Sequence, residues 1–134
     1  MVILQRKLHR LAMTDELTQI ANRRRIMMQA EQERVKALDT RQSLCFLILD
    51  LDHFKQVKDK YGHDVGDIVL QQMCMTVASM LRAQDHFGRT GGEEFLIVLP
   101  DTDVDAAFAI AERLRQAIAD IQFADTPKKM RVTC

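Results

Sequence analysis

Two short acidic segments carry the residues most able to do chemistry. Asp50-Leu51-Asp52 closes an apolar run at residues 43–49, and Gly91-Gly92-Glu93-Glu94-Phe95 opens another at residues 93–99. A carboxylate at the end of an apolar strand is unfavourable unless it is paired or holds a metal. Side chains alternate along a strand, which puts Asp50 and Asp52 on one face, and hard oxygen donors in pairs suit magnesium. Each segment alone also has a plain reading. An aspartate closing a strand is often a turn residue or a helix cap, and a Gly-Gly-Glu-Glu stretch is often a hairpin with a solvated acidic tip. Taken together they say more. Two glycines let the backbone turn tightly and pass close to a ligand. If the two strands are neighbours, Asp50 and Glu93 meet in one metal site, an arrangement that serves two-metal phosphoryl transfer. The chain has no Walker-type phosphate loop and no G-x-S-x-G elbow.

The elements that must position these groups can be read from periodicity. Asn22 is placed to cap a helix over residues 23–38. The run SLCFLIL at residues 43–49 has the pattern of a strand buried on both faces. A short helix is expected over residues 54–60, followed by a turn at Tyr61-Gly62-His63-Asp64. Val65, Val69, Met73, Val77 and Leu81 recur every four residues, predicting a long helix over residues 65–83. Arg89 and Thr90 pair with the second strand across the Gly91-Gly92 turn. Thr102 with Asp105 resembles a capping box. It precedes a helix whose apolar face runs through Val104, Ala107, Phe108, Ala111, Leu114, Ile118 and Ile121. Residues 130–134 look like the start of another strand. Residues 1–13 carry a narrow apolar stripe, Ile3, Leu4, Leu8, Leu11 and Ala12, expected as a helix connecting to an upstream domain. The order helix, strand, helices, hairpin, helix, strand implies an α/β sandwich with helices on the sheet.

Composition bounds the alternatives. The 134 residues suit one domain, and 47% are apolar. Lys+Arg and Asp+Glu balance at 19 each, so no net field favours nucleic acid or an acidic membrane. Cys45, Cys74 and Cys134 are widely spaced with no CxxC, which disfavours a structural zinc site. Cys45 and Cys74 fall in apolar runs, as reduced core residues in a cytoplasmic setting would. No apolar stretch approaches ~20 residues, so no membrane span is expected, and the charged N-terminus does not resemble a signal peptide.

Four ordered motifs resemble those of the GGDEF family of diguanylate cyclases over about residues 11–134. They are Thr14-Asp15-Glu16-Leu17-Thr18 with Asn22-Arg23-Arg24, then Asp50-Leu51-Asp52-His53-Phe54-Lys55, then Tyr61-Gly62-His63-Asp64-Val65-Gly66-Asp67, and last GGEEF at residues 91–95. The resemblance implies a sheet flanked by helices, as in the polymerase palm and class III nucleotide cyclases. The catalytic domain would occupy residues 14–134. It implies that two GTP condense to cyclic di-GMP with release of pyrophosphate, between two domains face to face in a homodimer. Asp50, the Leu51 carbonyl and Glu93 would hold magnesium (or manganese), with Asp52 and Glu94 beside it. Lys55 and the backbone N–H groups of His53 and Phe54 would hold the triphosphate. Gly91 and Gly92 would pass close to the nucleotide, with His63 in the same pocket. Asp67 would accept hydrogen bonds from guanine. Arg82-Ala83-Gln84-Asp85 is an RxxD upstream of GGEEF, where the family binds its own product for inhibition, and Arg113 could join it. An RxxD at a helix end is also a common local ion pair.

This chain departs from the family pattern in two places. Lys58 stands where the family usually has an Asn contacting guanine. The chain stops at Val132-Thr133-Cys134, before a hairpin and helix expected to carry further phosphate-gripping Lys and Arg. These departures support an alternative, a catalytically impaired domain that serves as a receptor for cyclic di-GMP or GTP. The intact Asp50, Glu93 and Lys55 argue against it, because a receptor has no need of a complete metal site. A third reading, a dimerisation module, leaves the acidic strand ends unexplained.

Overall fold

The computed structural model describes residues 12–123, so the expected connecting helix, apart from Ala12 and Met13, and the strand at residues 130–134 lie outside the described residues. Seven elements follow one another: α1 (Arg23–Thr40), β1 (Leu44–Asp50), α2 (Phe54–Tyr61), α3 (His63–Met80), β2 (His86–Arg89), β3 (Glu94–Pro100) and α4 (Val104–Ala119). The strands form an antiparallel sheet in the order β1-β3-β2. Helices cover both faces, and the expected α/β architecture is present.

Strand alternation divides the core in two. Leu49, Phe95, Ile97 and Leu99 face α3 and α4 and pack with Val69, Met73, Val77, Leu114 and Ile118. Leu96 and Val98 face the other way and pack under α1 against Ile26 and Ala30. Asn22 caps α1 as expected, its side chain accepting from Arg25 N.

The structure corrects several expectations about the elements. β1 is not buried on both faces: Phe46 is 46% and Ile48 75% exposed. Among the described residues β1 is an edge strand, and α1 sits over β2 and β3. The long helix ends at Met80 rather than near residue 83, because Arg82 and Asp85 fold the chain into a turn, Asp85 N donating to the Arg82 carbonyl at 3.1 Å. The cap of α4 is Asp103, which accepts from Ala106 N. Thr102 is instead buried, its hydroxyl donating to the Pro100 carbonyl at 2.9 Å. On α4 the core stripe is narrower than the sequence implied, since Val104 and Phe108 are 76% and 68% exposed.

Two glycines set close approaches. A Cβ on Gly66 would lie 2.8 Å from Lys58 Cγ, so a bare Gly66 lets α2 and α3 pack together. Gly88 on β2 does the same for α1, where Ile26 fills the space a Cβ would need.

Candidate functional site

The register brings the two acidic segments together. β1 and β3 pair so that Asp50 lies opposite Glu94, on the face that also carries Phe46, Ile48, Leu96 and Val98. One step further, Leu51 N donates to the Glu93 carbonyl at 3.4 Å. β1 ends at Asp50, so strand alternation does not reach Asp52. The chain turns at Leu51, which is buried, while Asp50 and Asp52 are exposed. Glu93 is half-buried just before β3. The shared end of β1 and β3 is therefore where the carboxylates gather.

Carboxylates directly opposite one another across a ladder repel. Thr90 meets part of the demand on Glu94, its hydroxyl donating to Glu94 Oε1 at 3.1 Å. Among the described residues, no three His, Cys, Asp or Glu side chains converge closely enough to hold a metal by themselves. Magnesium seldom needs such a cage. It is usually bound by one or two carboxylates and completed by water and substrate phosphate oxygens. An exposed pair of like charges, a main-chain carbonyl at Leu51 and a neighbouring carboxylate at Glu93 fit that donor set.

The residues expected to hold phosphates follow immediately. His53 adopts a left-handed conformation, φ 56°, and turns the chain from the strand end into α2. Left-handed backbone is uncommon in non-glycine residues, and histidine is among the types that adopt it more readily; Gln19, Arg41 and Asp101 share it elsewhere in the fold. Phe54 buries its ring in the core, leaving only its backbone for a ligand. Lys55 is exposed in the first turn of α2. The first N–H groups of a helix lack intrahelical partners, and an anion there meets the favourable end of the dipole.

On the far side of α2, Lys58 runs against Gly66 and places its Nζ over the Phe54 ring, 5.2 Å from the centroid. Asp67 is exposed beside Gly66 on α3, and His63 is exposed as the first residue of that helix. The expected turn at residues 61–64 is thus shorter, with α3 beginning at His63.

Arg82 and Asp85 lie at the opposite end of the sheet. The Arg82 guanidinium pairs with Asp85, with Nη2 to Oδ1 at 2.8 Å, and donates to the Pro100 carbonyl at 3.0 Å and Thr102 Oγ1 at 2.7 Å. Its hydrogen bonds to Asp85 hold the Arg82 pKa above the ordinary arginine value. Arg113 is exposed on α4.

Sequence reasoning passed over the residue that ties the acidic hairpin down. Arg89 Nε donates to the carbonyls of Gly91 and Gly92 at 3.1 and 3.0 Å, and Nη2 donates to Gly92 at 2.7 Å. Its Nη1 meets the Asp15 carboxylate at 3.3 Å. Arg23 Nη1 also donates to the Thr90 carbonyl at 3.1 Å. An arginine two residues before a double glycine was the available signal. Burial disfavours the charged form of Asp15, but hydrogen bonds from Thr18 and the charge of Arg89 outweigh it and hold the carboxyl below its usual range. The stability this contributes is complete above the ordinary carboxylate pKa and is lost as pH falls through the lowered one. Cys74, beneath this pair, has its thiol pushed up to about 12 by burial, consistent with an unreactive core residue. Cys45 is half-buried and also free. Among the described residues no helix is long and apolar enough to cross a membrane.

Known proteins resemble this chain in both sequence and fold. A diguanylate cyclase of Vibrio cholerae is 41% identical over 122 residues, covering 91% of this chain and 38% of that protein. The response regulator PleD of Caulobacter vibrioides is 40% identical over 113 residues, covering 84% of this chain and 25% of that protein. The chain therefore spans well under half the length of these relatives. Among solved structures, the diguanylate cyclase SiaD of Pseudomonas aeruginosa, in complex with its activator SiaC, superimposes with a TM-score of 0.86 at 36% identity, over 97% of this chain and 50% of that one. The active GGEEF domain of a Vibrio cholerae diguanylate cyclase superimposes with a TM-score of 0.80 at 36% identity, over 86% of this chain and 72% of that one. The family profile described as "Diguanylate cyclase, GGDEF domain" matches residues 12–134. Sequence and fold thus point the same way, and the chain belongs to the GGDEF domain family of diguanylate cyclases.

Proposed function

We propose that the full-length protein condenses two GTP molecules into cyclic di-GMP, and that this domain supplies one half of the active site. The observation that carries the reading is the β1–β3 register, which sets Asp50 opposite Glu94 and hydrogen-bonds Leu51 to Glu93. Asp50, Glu93 and the Leu51 carbonyl are the groups that would hold magnesium or manganese, with Asp52 and Glu94 beside them. The bound ion would supply Lewis-acid stabilisation of developing charge on phosphate oxygens.

The remaining work falls to the chain itself. Lys55 and the N–H groups of His53 and Phe54 hold the triphosphate at the start of α2, where positive charge and helix dipole act together. Gly91 and Gly92 give the nucleotide room against the hairpin. A 3′-hydroxyl of one GTP attacks the α-phosphorus of the other. The new P–O bond forms as the bond to pyrophosphate breaks, and the hydroxyl proton passes to solvent water. A second such step closes the ring. Each domain carries one GTP, so two copies must face one another. An upstream sensory domain would control that encounter, and a cytoplasmic supply of GTP would feed it.

Incubating full-length protein with GTP and magnesium, and following cyclic di-GMP and pyrophosphate, tests this reading. Product at two pyrophosphates per cyclic dinucleotide is expected. Tight GTP or cyclic di-GMP binding without turnover would favour the receptor reading instead, and neither binding nor turnover would leave a dimerisation module.

Base choice rests on Asp67, with Lys58 and His63 nearby. A carboxylate can accept from guanine N1–H and N2–H, whereas adenine offers no donor there. A desolvated carboxylate left unpaired costs about 1–3 kcal/mol. GTP should therefore bind at least about tenfold more tightly than ATP, and Lys58→Asn should strengthen GTP binding or leave it unchanged. Calorimetric titration of both nucleotides into wild type, Lys58→Asn and Asp67→Ala checks this. Equal affinity of the wild type for GTP and ATP would remove Asp67 from base reading.

The RxxD at Arg82 and Asp85, with Arg113, is proposed as a product-inhibition site, because an arginine fork suits phosphates and stacks on guanine. In the unliganded chain Arg82 is occupied by Asp85, Pro100 and Thr102. Product would have to share or displace those bonds. Arg82→Ala is expected to weaken inhibition by cyclic di-GMP with little change in initial rate. Unaltered inhibition in that variant would leave the pair as a local clamp.

A further inference from the structure

We infer that Asp15 is a positioning residue for the carboxylate hairpin, acting through Arg89. The inference rests on the functional reading above for its consequence in turnover, and on hydrogen bonding alone for its consequence in structure. Glycine has no side chain by which a loop can be held, and a Cβ added at Gly92 would meet no atom within 4 Å. The loop is held from outside. Arg89 Nε and Nη2 both donate to Gly92, the residue immediately before Glu93, and Nε is shared with Gly91. The remaining arm, Nη1, is fixed by Asp15 Oδ2 at 3.3 Å and Oδ1 at 3.4 Å. A planar guanidinium anchored on one edge has its other donors aimed in one direction.

Asp15 is itself immobilised. Its Oδ2 accepts from Thr18 N at 3.0 Å and Thr18 Oγ1 at 2.6 Å, and its N–H donates to the Ile20 carbonyl at 2.8 Å. The turn that carries it is fastened on both sides. Gln71 of α3 donates to the Leu17 carbonyl at 3.1 Å, and Arg89 N donates to the Ala21 carbonyl at 2.9 Å. Asn22 closes the turn, its side chain donating to the Ala12 carbonyl at 2.7 Å. The segment at residues 12–22 is thus a splint, and the Asp15–Arg89 pair is the strut from splint to hairpin.

Removing the Asp15 charge has two effects in the same direction. The Arg89 fork is no longer aimed, so the Gly92 carbonyl and the Glu93 that follows gain freedom, and small displacements of reacting groups lower rates steeply. A half-buried guanidinium without its partner also becomes a competitor for Glu93 and Glu94. Neither effect acts on Asp67, Lys55 or the N–H groups of His53 and Phe54, so the loss falls more on turnover than on nucleotide affinity.

The test uses full-length Asp15→Asn, Asp15→Glu, Arg89→Gln and the double variant Asp15→Asn/Arg89→Gln. Asp15→Asn keeps the shape and a Thr18 acceptor but removes the charge. It should lower kcat by about tenfold or more, with a smaller change in KM for GTP and a modest fall in Tm at neutral pH as the charge pair is lost. Asp15→Glu should recover part of the loss in kcat. The double variant should be no worse than Arg89→Gln alone, because Asp15 acts through Arg89. Amide hydrogen exchange at residues 91–94 should quicken about tenfold in Asp15→Asn while α3 amides stay protected. Wild-type kcat in Asp15→Asn, losses that multiply in the double variant, or unchanged exchange at the hairpin would each overturn the inference. If the wild type itself makes no product, the functional reading fails, and faster hairpin exchange in Asp15→Asn would still establish the strut.

Discussion

Asp50→Asn and Glu93→Gln should each lower cyclic di-GMP formation by at least about 100-fold while leaving the protein folded. Both changes keep the shape of the side chain and remove the charge on which magnesium affinity depends. The structural part of the expectation has a definite sign. Asp50 lies opposite Glu94 in the ladder, so metal-free Asp50→Asn relieves a like-charge pair. Its thermal midpoint should equal or slightly exceed that of the wild type. The two proteins should then diverge on adding magnesium with GTP, with the wild type gaining more stability by ligand linkage. Stopped-time product assays and paired thermal melts measure both quantities. Near wild-type product formation by either variant would remove that residue from the metal site. A large drop in the metal-free midpoint would instead make Asp50 a structural residue.

Gly88→Ala should be among the most destabilising single-methyl additions available in this chain. Gly88 is buried on β2, paired with Leu96 on one side and bridged to Ala21 on the other. A Cβ there would overlap Ile26 Cβ and lie 2.8 Å from both Ile26 Cγ atoms. Ile26 is fully buried. Its Cβ is fixed to the helix backbone, and its branched side chain has few rotamers in a helix. α1 must therefore lift off the sheet. Overpacking of this kind costs about 1–3 kcal/mol, against the small gain expected from replacing glycine in a strand interior. Gly91→Ala is the control, because its added Cβ would meet only Glu94 Cβ at 3.6 Å. Urea denaturation midpoints at constant m-value report the difference. Equal midpoints for wild type and Gly88→Ala would mean that α1 does not seat on β2 as closely as the structure shows.

Much of the site was legible because its signals are local. An apolar run ending in Asp50-Leu51-Asp52 and a Gly91-Gly92 turn opening Glu93-Glu94-Phe95 specify two strands and the ends at which their acids lie. Four-residue spacing from Val65 onward specified α3, and Asn22 specified the start of α1. Errors arose where a local signal had a tertiary competitor. Thr102 looked like a cap, yet its hydroxyl is taken by Pro100 and Arg82 while Asp103 caps α4. Leu81 continued the apolar period of α3, yet the Arg82–Asp85 turn ended the helix at Met80.

The sequence by itself determined the element types, the α/β order and the acidic and glycine-rich motifs of the family, because these depend on periods and residue chemistry within a few positions. Only the tertiary structure decided which acid stands opposite which, since strand register depends on turn geometry and on which face each strand buries. Only it showed that β1 presents Phe46 and Ile48 to the surface, because burial depends on where α1 lies and not on how apolar a run is. Asp15 and Arg89 are 74 positions apart, and neither stands out in the chain by its type. Their pairing, and with it the hold on the acidic hairpin, exists only after the N-terminal turn has docked on β2 and α3.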